Sequence, residues 1–490
     1  MTRKVLQGLW CVVLLTFLMT TSLLSYGWTT PNSNLQAGNG IGPTARITQA
    51  IDPNAYVILR GNTRPEVRNA VNYVGPANAA MPIEHMLLFL QRSPQQEQAL
   101  DTYIESLNDR KSPNFHKWLT AEQLGSIYGV ADEDIQKLTN WLESQGFVIN
   151  RVYPNKMVLD ISGTAGSLAQ AFHTQIGELN VGGKTHFANM NDPQVPAALA
   201  PVIQGFFSLN DFRPHAMNKV VPQYTFAGCT SSTSLPTEPG TCYAVTPQDD
   251  ETIYNLNPLY ASGISGQGQT IYLVEDTDSY GNDWNSYVDT FGLNVQFPAG
   301  NYAQLHPGGC TDPGTNEDDS EADLDVEVAS AIAPSANIRL ISCPSGSLTF
   351  GGQIATLNLT NEASPTLGVI SVSYGLCEAV TGNGGNAAFA TTYQAAVAEG
   401  FSVFVAAGDE GPSSCSDDFS AGTEYDVTSL GVTGWGETPY NVTVGGTDFE
   451  DTYNGKTGQN GGLGNSNYWS ATNTQYYGSA LSYIPEIPWN

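Results

Sequence analysis

The charges of this chain are the feature that most limits what it can fold into. Divided at Thr246, its 490 residues form two halves of nearly equal length. The first half holds 16 Lys or Arg and 17 Asp or Glu, a balance of −1. From Thr246 to Asn490 the only basic residues are Arg339 and Lys456, against 30 acidic ones, a balance of −28. A domain charged in this way repels itself at neutral pH, and protonating its carboxylates relieves the repulsion. The second half therefore reads as adapted to acid; a merely soluble or halophilic surface is the plainer alternative. A net charge of −29 repels phosphates and excludes a general nucleic-acid partner. Charged residues are only 13% and hydrophobic ones 41%, which argues against long charged disorder and for packed cores.

Arg3 and Lys4 precede an apolar run from Leu9 to Leu24. This is the pattern of a secretory leader, placed at 1–28, and it predicts a secreted protein. No later apolar stretch is long enough to span a bilayer, so no stable membrane partner is expected. Export implies oxidising surroundings. Cys11 lies in the leader, and six cysteines remain. Their proximity in sequence favours the pairs Cys229–Cys242, Cys310–Cys343 and Cys377–Cys415. A zinc cluster is disfavoured because no Cys-x-x-Cys occurs.

The first half, 42–214, reads as an α+β domain with a ferredoxin-like sheet. His85–Leu90 is a short buried strand. Leu100, Tyr103, Ile104 and Leu107 share one face of a helix over Pro94–Asn108. Thr120 and Gln123 form a capping box. A helix over Asp132–Ser144 carries Ile135, Leu138 and Leu142 on one stripe, with Gly146 just past its end. Met157–Ile161 reads as a strand and Ser167–Phe172 as a helix. The histidines at 85, 116, 173, 186 and 215 show no metal-ligand spacing. A Thr, Ser, Pro and Gly-rich stretch makes 215–250 a linker and a plausible processing site.

The second half, 251–490, reads as an α/β domain with a parallel sheet. Gln269–Val274, Asn337–Ser342, Val369–Ser373, Phe401–Ala407 and Asn441–Val444 are apolar strands, and Ala387–Glu399 is a helix between two of them. In such sheets chemistry sits beyond the carboxyl ends of the strands, where Glu275 and Asp409 fall. Ser320–Pro334 reads as a helix, capped by Ser320 with Asp323 and buried along Leu324, Val328 and Ala331. Glu321 and Asp325, one turn apart, share a face with no cation nearby in sequence. Two such carboxylates can share a proton and form an acid/base pair. A solvated acidic helix start is the plainer reading.

These residues resemble the sedolisin family of serine-carboxyl peptidases, which includes kumamolisin-like proenzymes. Phe115-His-Lys-Trp-Leu-Thr-Ala-Glu-Gln123 and Trp141-Leu-Glu-Ser-Gln-Gly-Phe147 are similar to the family's activation domain. Glu321-Ala-Asp-Leu-Asp325 is similar to its Glu-x-x-x-Asp helix, Gly408-Asp409-Glu410-Gly411 to its Gly-Asp-x-Gly turn, and Ser371-Val-Ser373-Tyr374-Gly375 to its substrate-lining strand. The resemblance implies a subtilisin-like sheet with flanking helices, and a prodomain acting as intramolecular inhibitor and folding aid. It implies Glu321 as base, Asp325 as its support, and Asp409 as oxyanion donor. It also implies a supporting Glu275–Tyr374 network, a substrate wall of Ser373, Tyr374 and Gly375, protein or peptide substrates, and a Cys377–Cys415 disulfide. The family's Gly-Thr-Ser-Ala nucleophile motif does not occur; Gly445-Gly446-Thr447 is followed by Asp448. The reading is therefore a peptidase domain truncated before its serine, inactive as it stands, with calcium ligands expected beyond Asn490 and no metal site in this chain. Two other readings stay open, a peptide-binding pseudo-enzyme and a calcium-binding surface protein using Asp276, Asp278, Asp318 and Asp319.

Overall fold

The computed structural model describes residues 42–216, 245–409, 411–412, 415, 430–449, 468–470 and 472–488. The expected leader and the Cys229–Cys242 pair lie outside the described residues.

In the first half four antiparallel strands run in the order Val148–Val152, Val158–Thr164, Pro82–Leu90, Ile203–Phe206. The Pro82–Leu90 strand starts three residues before the sequence suggests. Its register shifts between Ile83 and Met86, and His85 takes a positive φ of 55° there. The Pro94–Asn108 and Asp132–Ser144 helices have the expected limits. Ser93 caps the first, its side chain accepting from the Gln96 amide while Gln96 reaches back to the Ser93 amide. Thr120 and Gln123 make the same reciprocal box. Gly146, at φ 86°, lets the chain leave the second helix in a left-handed turn that a side chain would strain. Leu138, Leu142 and Phe172 join Phe206 and the other sheet residues in one core, while the Pro94–Asn108 helix, with Leu100 and Leu107 buried, packs on the Ala121–Tyr128 and Glu378–Glu399 helices.

The second half is built on six parallel strands. Their order is Asn301–Leu305, Asn337–Ser342, Thr270–Glu275, Val369–Val372, Ser402–Ala406, Val442–Val444. Asn301–Leu305 was not visible in the sequence, because it lacks an apolar run. The Gly351–Thr360 helix escaped for the opposite reason. All ten of its residues are buried. A helix covered on every side has no apolar stripe to announce it.

That helix is covered by the first half itself. Tyr153 Oη and Arg151 Nη1 donate to Asn358 Oδ1 at 3.0 and 2.8 Å, and the Asn155 amide donates to Asn361 Oδ1 at 3.1 Å. The first half also packs on the Glu378–Glu399 helix. Phe207 meets Phe389 edge-on at 5.3 Å, and a Cβ on Gly384 would strike Asn62 and the Phe206 carbonyl. One apolar cluster runs from Phe89 and Phe206 through to Phe350, Phe389 and Trp435. The halves thus share a core. The expected linker is shorter at both ends than the sequence suggests. His215–Ala216 is a strand, and Pro247–Ile253 is a helix capped by Thr246.

The acidic helix spans Asp319–Ile332, and two expectations about it are corrected. Its N-cap is Asp318, without a side-chain cap bond, so Ser320 does not cap it. Leu324 and Val328 are 39% and 46% exposed, so they do not form its buried stripe. Ala331 is buried as expected, but the rest of the buried face is Glu321, Ala322, Val326 and Ser330. Ala322 and Val326 pack against Leu273 and Leu340 of the sheet. Small side chains let the helix sit close, and that face brings the acids inward.

Candidate active site

Three neighbouring strands end at one place. Thr270–Glu275 ends at Glu275, Val369–Val372 runs into Ser373, and Ser402–Ala406 leads to Asp409. The Asp319–Ile332 helix lies against the first of these and presents Glu321 and Asp325. The five acidic and hydroxyl positions singled out in the sequence therefore gather at the carboxyl ends of the sheet.

Glu275 is fully buried, and Tyr374 Oη donates to its Oε2 at 2.7 Å. Its other oxygen, Oε1, has no hydrogen-bond partner among the described residues. Burial, then the charges of Asp325 and Glu321, raise this carboxyl well above its ordinary value, and the Tyr374 bond only partly offsets that. Tyr374 is itself buried and pushed up by burial and by Glu275.

Ser373 Oγ lies 2.9 Å from both oxygens of Asp325. Removal from water pushes Asp325 up to about 6, with the Ser373 bond pulling the other way. Asp325 thus faces a hydroxyl, and the site around it holds a proton at mildly acidic pH. Glu321, one turn earlier, is buried at 2% exposure on the same helix face. Asp409 is half-buried in a turn whose two glycines, Gly408 at φ 99° and Gly411 at φ 57°, take left-handed conformations. The Gly-Asp-x-Gly pattern is therefore a conformational requirement of this turn. Glu410 lies outside the described residues.

The cleft wall is already occupied by the chain itself. His215 pairs with Gly375 and Ala216 with Tyr374 as an antiparallel strand. Just before it, the Arg213 guanidinium donates to the Gly346 carbonyl. The peptide leaving the first half thus lies along Tyr374-Gly375, the segment expected to line a substrate.

Two disulfides support this region. Cys377 bonds Cys415, fixing the segment after Gly375, and Cys310 bonds Cys343, next to the end of the Asn337–Ser342 strand. On the far side of Glu275 lie Asp276 and Asp278, which the sequence offered only as calcium ligands; it missed their partners. Asp276 accepts from Ser345 Oγ and Asn316 Nδ2, and Asp278 accepts from Ser342 Oγ. The available signal was an Asp-x-Asp directly following a strand end. His306 meets both oxygens of Asp278 at 3.2 Å, and with Asp312 these form a cluster of metal-type donors. An imidazole among them does not suit calcium, which takes oxygen ligands. The calcium implied by the resemblance is not fitted by these residues, and no step is routed through it.

Among the described residues no helix is long and apolar enough to cross a membrane. Residues 69–212 match the family described as pro-kumamolisin, activation domain. Kumamolisin of Bacillus sp. (strain MN-32) is 26% identical over 404 residues, 81% of this chain and 69% of that protein. Sedolisin of Pseudomonas sp. (strain 101) is 25% identical over 447 residues, 89% of this chain and 71% of that protein. Xanthomonalisin of Xanthomonas sp. (strain T-22) is 26% identical over 443 residues, 84% of this chain and 50% of that protein.

Proposed function

We propose that this chain, similar to kumamolisin and sedolisin along most of its length, is the precursor of a secreted, acid-acting serine-type peptidase of that family. The observation that carries the reading is the pairing of His215–Ala216 with Tyr374–Gly375, beside Glu275, Asp325 and Asp409. An extended peptide has a place in that cleft, and the first half supplies one, as an intramolecular inhibitor would.

The reaction is acyl transfer to a serine. Glu321 takes the serine proton, and Asp325, held by Ser373, orients and supports it. Asp409, protonated, donates to the oxyanion as it forms. A carboxyl group can donate only while neutral, and a carboxylate base works best near its own pKa. Both requirements place the optimum in acid. Glu275 and Tyr374 extend the network behind Asp325. The serine is proposed to lie outside these 490 residues, because no Gly-Thr-Ser-Ala type motif occurs among them. Calcium remains part of the proposal only through the family resemblance.

The test is to read the coding frame past Asn490, express the whole product, and assay cleavage of a denatured protein between pH 3 and 8. The expected result is acid-dependent cleavage after removal of the first half. Glu321→Gln should lower kcat/KM by roughly 10²–10⁴, and Asp409→Asn by about 10²–10³. A stop codon after Asn490, with peptide binding and no cleavage, would withdraw the peptidase in favour of a binding scaffold.

A further inference from the structure

The cluster at the edge of the cleft has no part in the chemistry above. Asp278 leaves the sheet just after Glu275, His306 follows the Asn301–Leu305 strand, and Asp312 lies in the turn beyond Cys310. The His306 nitrogen Nε2 stands 3.2 Å from Asp278 Oδ1 and 3.2 Å from Oδ2. One donor atom each from Asp278, His306 and Asp312 lie within 4.8 Å of one another. We propose that Asp278, His306 and Asp312 bind one divalent transition-metal ion of the zinc type.

Three observations support the site. The first is its construction. Cys310–Cys343 ties the loop after His306 to the strand end that carries Ser342. The Asp278 amide donates to the Gly314 carbonyl at 2.8 Å, and the Gly314 amide donates to Asp312 Oδ1 at 2.7 Å. Three segments are thus fastened to one another around the donors. The second is orientation from behind. Ser342 Oγ donates to Asp278 Oδ1 at 2.6 Å, the kind of outer contact that fixes a metal-ligating carboxylate. The third is charge. Among the described residues neither Asp278 nor Asp312 has a Lys or Arg ion pair, and His306 is the only histidine of its half. Two carboxylates and a dication balance.

The donor chemistry narrows the ion. One imidazole and two carboxylates suit zinc and its first-row neighbours, whereas calcium and magnesium prefer oxygen alone. Ligand atoms on metal bonds of about 2.0–2.2 Å stand roughly 3.3–3.5 Å apart in a tetrahedron. The His306–Asp278 separation, 3.2 Å, is just short of that spacing. Asp312 is exposed, and one of its carboxylate oxygens lies within 4.8 Å of the other two donors.

The test uses the full chain without an affinity tag, at pH 7, equilibrated with zinc and dialysed. Bound metal is counted by mass spectrometry, and cobalt(II) substitution is followed by visible absorption. The expected result is about one zinc per chain, retained against excess calcium, with tetrahedral cobalt bands. His306→Ala and Asp312→Asn should each weaken zinc binding by about tenfold or more. Asp312 is exposed, so its variant reports on binding even if His306→Ala fails to fold. No zinc retained by the wild-type chain, or equal zinc in wild type and Asp312→Asn, overturns the site and leaves an ordinary His306–Asp278 ion pair.

Discussion

The two halves of the chain handle their acids in different ways. In the first half, carboxylates meet cations. Arg64 pairs with Glu66 at 2.5 Å, Lys156 with Asp132 at 2.6 Å, Lys137 with Glu133 at 2.7 Å, and Arg92 with Glu97 at 3.1 Å. Buried Asp134 accepts the backbone amides of Arg46 and Ile47, with the Arg46 charge close by. In the second half, buried acids meet hydroxyls. Glu275 faces Tyr374, Asp325 faces Ser373, Asp276 faces Ser345, and Asp278 faces Ser342. The first arrangement neutralises charge with a counter-ion; at Glu275 and Asp325 the second favours the protonated carboxyl, because burial raises both. A counter-ion remains at any ordinary pH. A proton remains only in acid. The difference falls in a particular part of the molecule, the carboxyl ends of the parallel strands.

The largest effect expected from this contrast is at Arg92. This buried side chain donates from Nε to the Tyr128 carbonyl and from Nη1 to Glu97 and to Gln394 Oε1, at 2.9, 3.1 and 2.7 Å. Gln394 belongs to the second half, so Arg92 helps to hold the halves together. Arg92→Ala removes charge-assisted bonds and should cost about 2–4 kcal/mol. Denaturant unfolding and the rate of proteolytic release of the first half would measure it. The loss should be similar at pH 5 and pH 8. A loss confined to one end of that range would break the comparison, because a counter-ion device should not depend on pH there.

A smaller effect of opposite character is expected at Glu275. Its pKa in the fold is raised above the ordinary 4.5. Its contribution is therefore fully present below about 4.5 and is lost as pH rises toward the folded value. Asp325, pushed up to about 6, Asp323, up to about 6, and Glu327, up to about 7, follow the same sign. The wild-type melting temperature should therefore fall between pH 4 and pH 8. Glu275→Gln keeps an acceptor for Tyr374 and has no charge to bury. It should match the wild type at pH 4 and exceed it in stability at pH 8. Thermal melts of both proteins across this range would check it. A variant no more stable than wild type at pH 8 would mean that Glu275 is not held protonated in the fold.

How much of this was legible in the sequence depended on how each element is covered. The Pro94–Asn108 and Asp132–Ser144 helices have one wet face and one dry face, so their period was plain. Glu321, Asp325, Asp409, Ser373 and Tyr374 could be chosen because short patterns carry them. The Gly408 and Gly411 conformations explain why one of those patterns contains glycine. The Gly351–Thr360 helix was illegible because the other half covers its outer side. His215–Ala216 was taken for linker because two residues that pair only with a distant strand leave no periodicity. The His306 cluster draws its donors from three separated segments, which spacing along the chain cannot bring together.

The smallest effect tests the one element whose face was misassigned. In the Asp319–Ile332 helix an apolar count chooses Leu324 and Val328, yet the fold buries Ala322 and Val326. The reason is the neighbouring chemistry. Turning Leu324 inward would turn Glu321 and Asp325 away from Ser373 and the strand ends, and the larger side chain would hold the helix off the sheet. Val326→Ala, at a site 1% exposed, should cost about 1 kcal/mol through the space it leaves. Leu324→Ser, at a site 39% exposed, should stay within about 0.5 kcal/mol. Urea unfolding resolves the two. The reverse order would put the helix in the orientation that the apolar pattern suggests, with its carboxylates in solvent. The second half would then be acidic only on its surface, and the contrast with the first half would lose its link to the cleft.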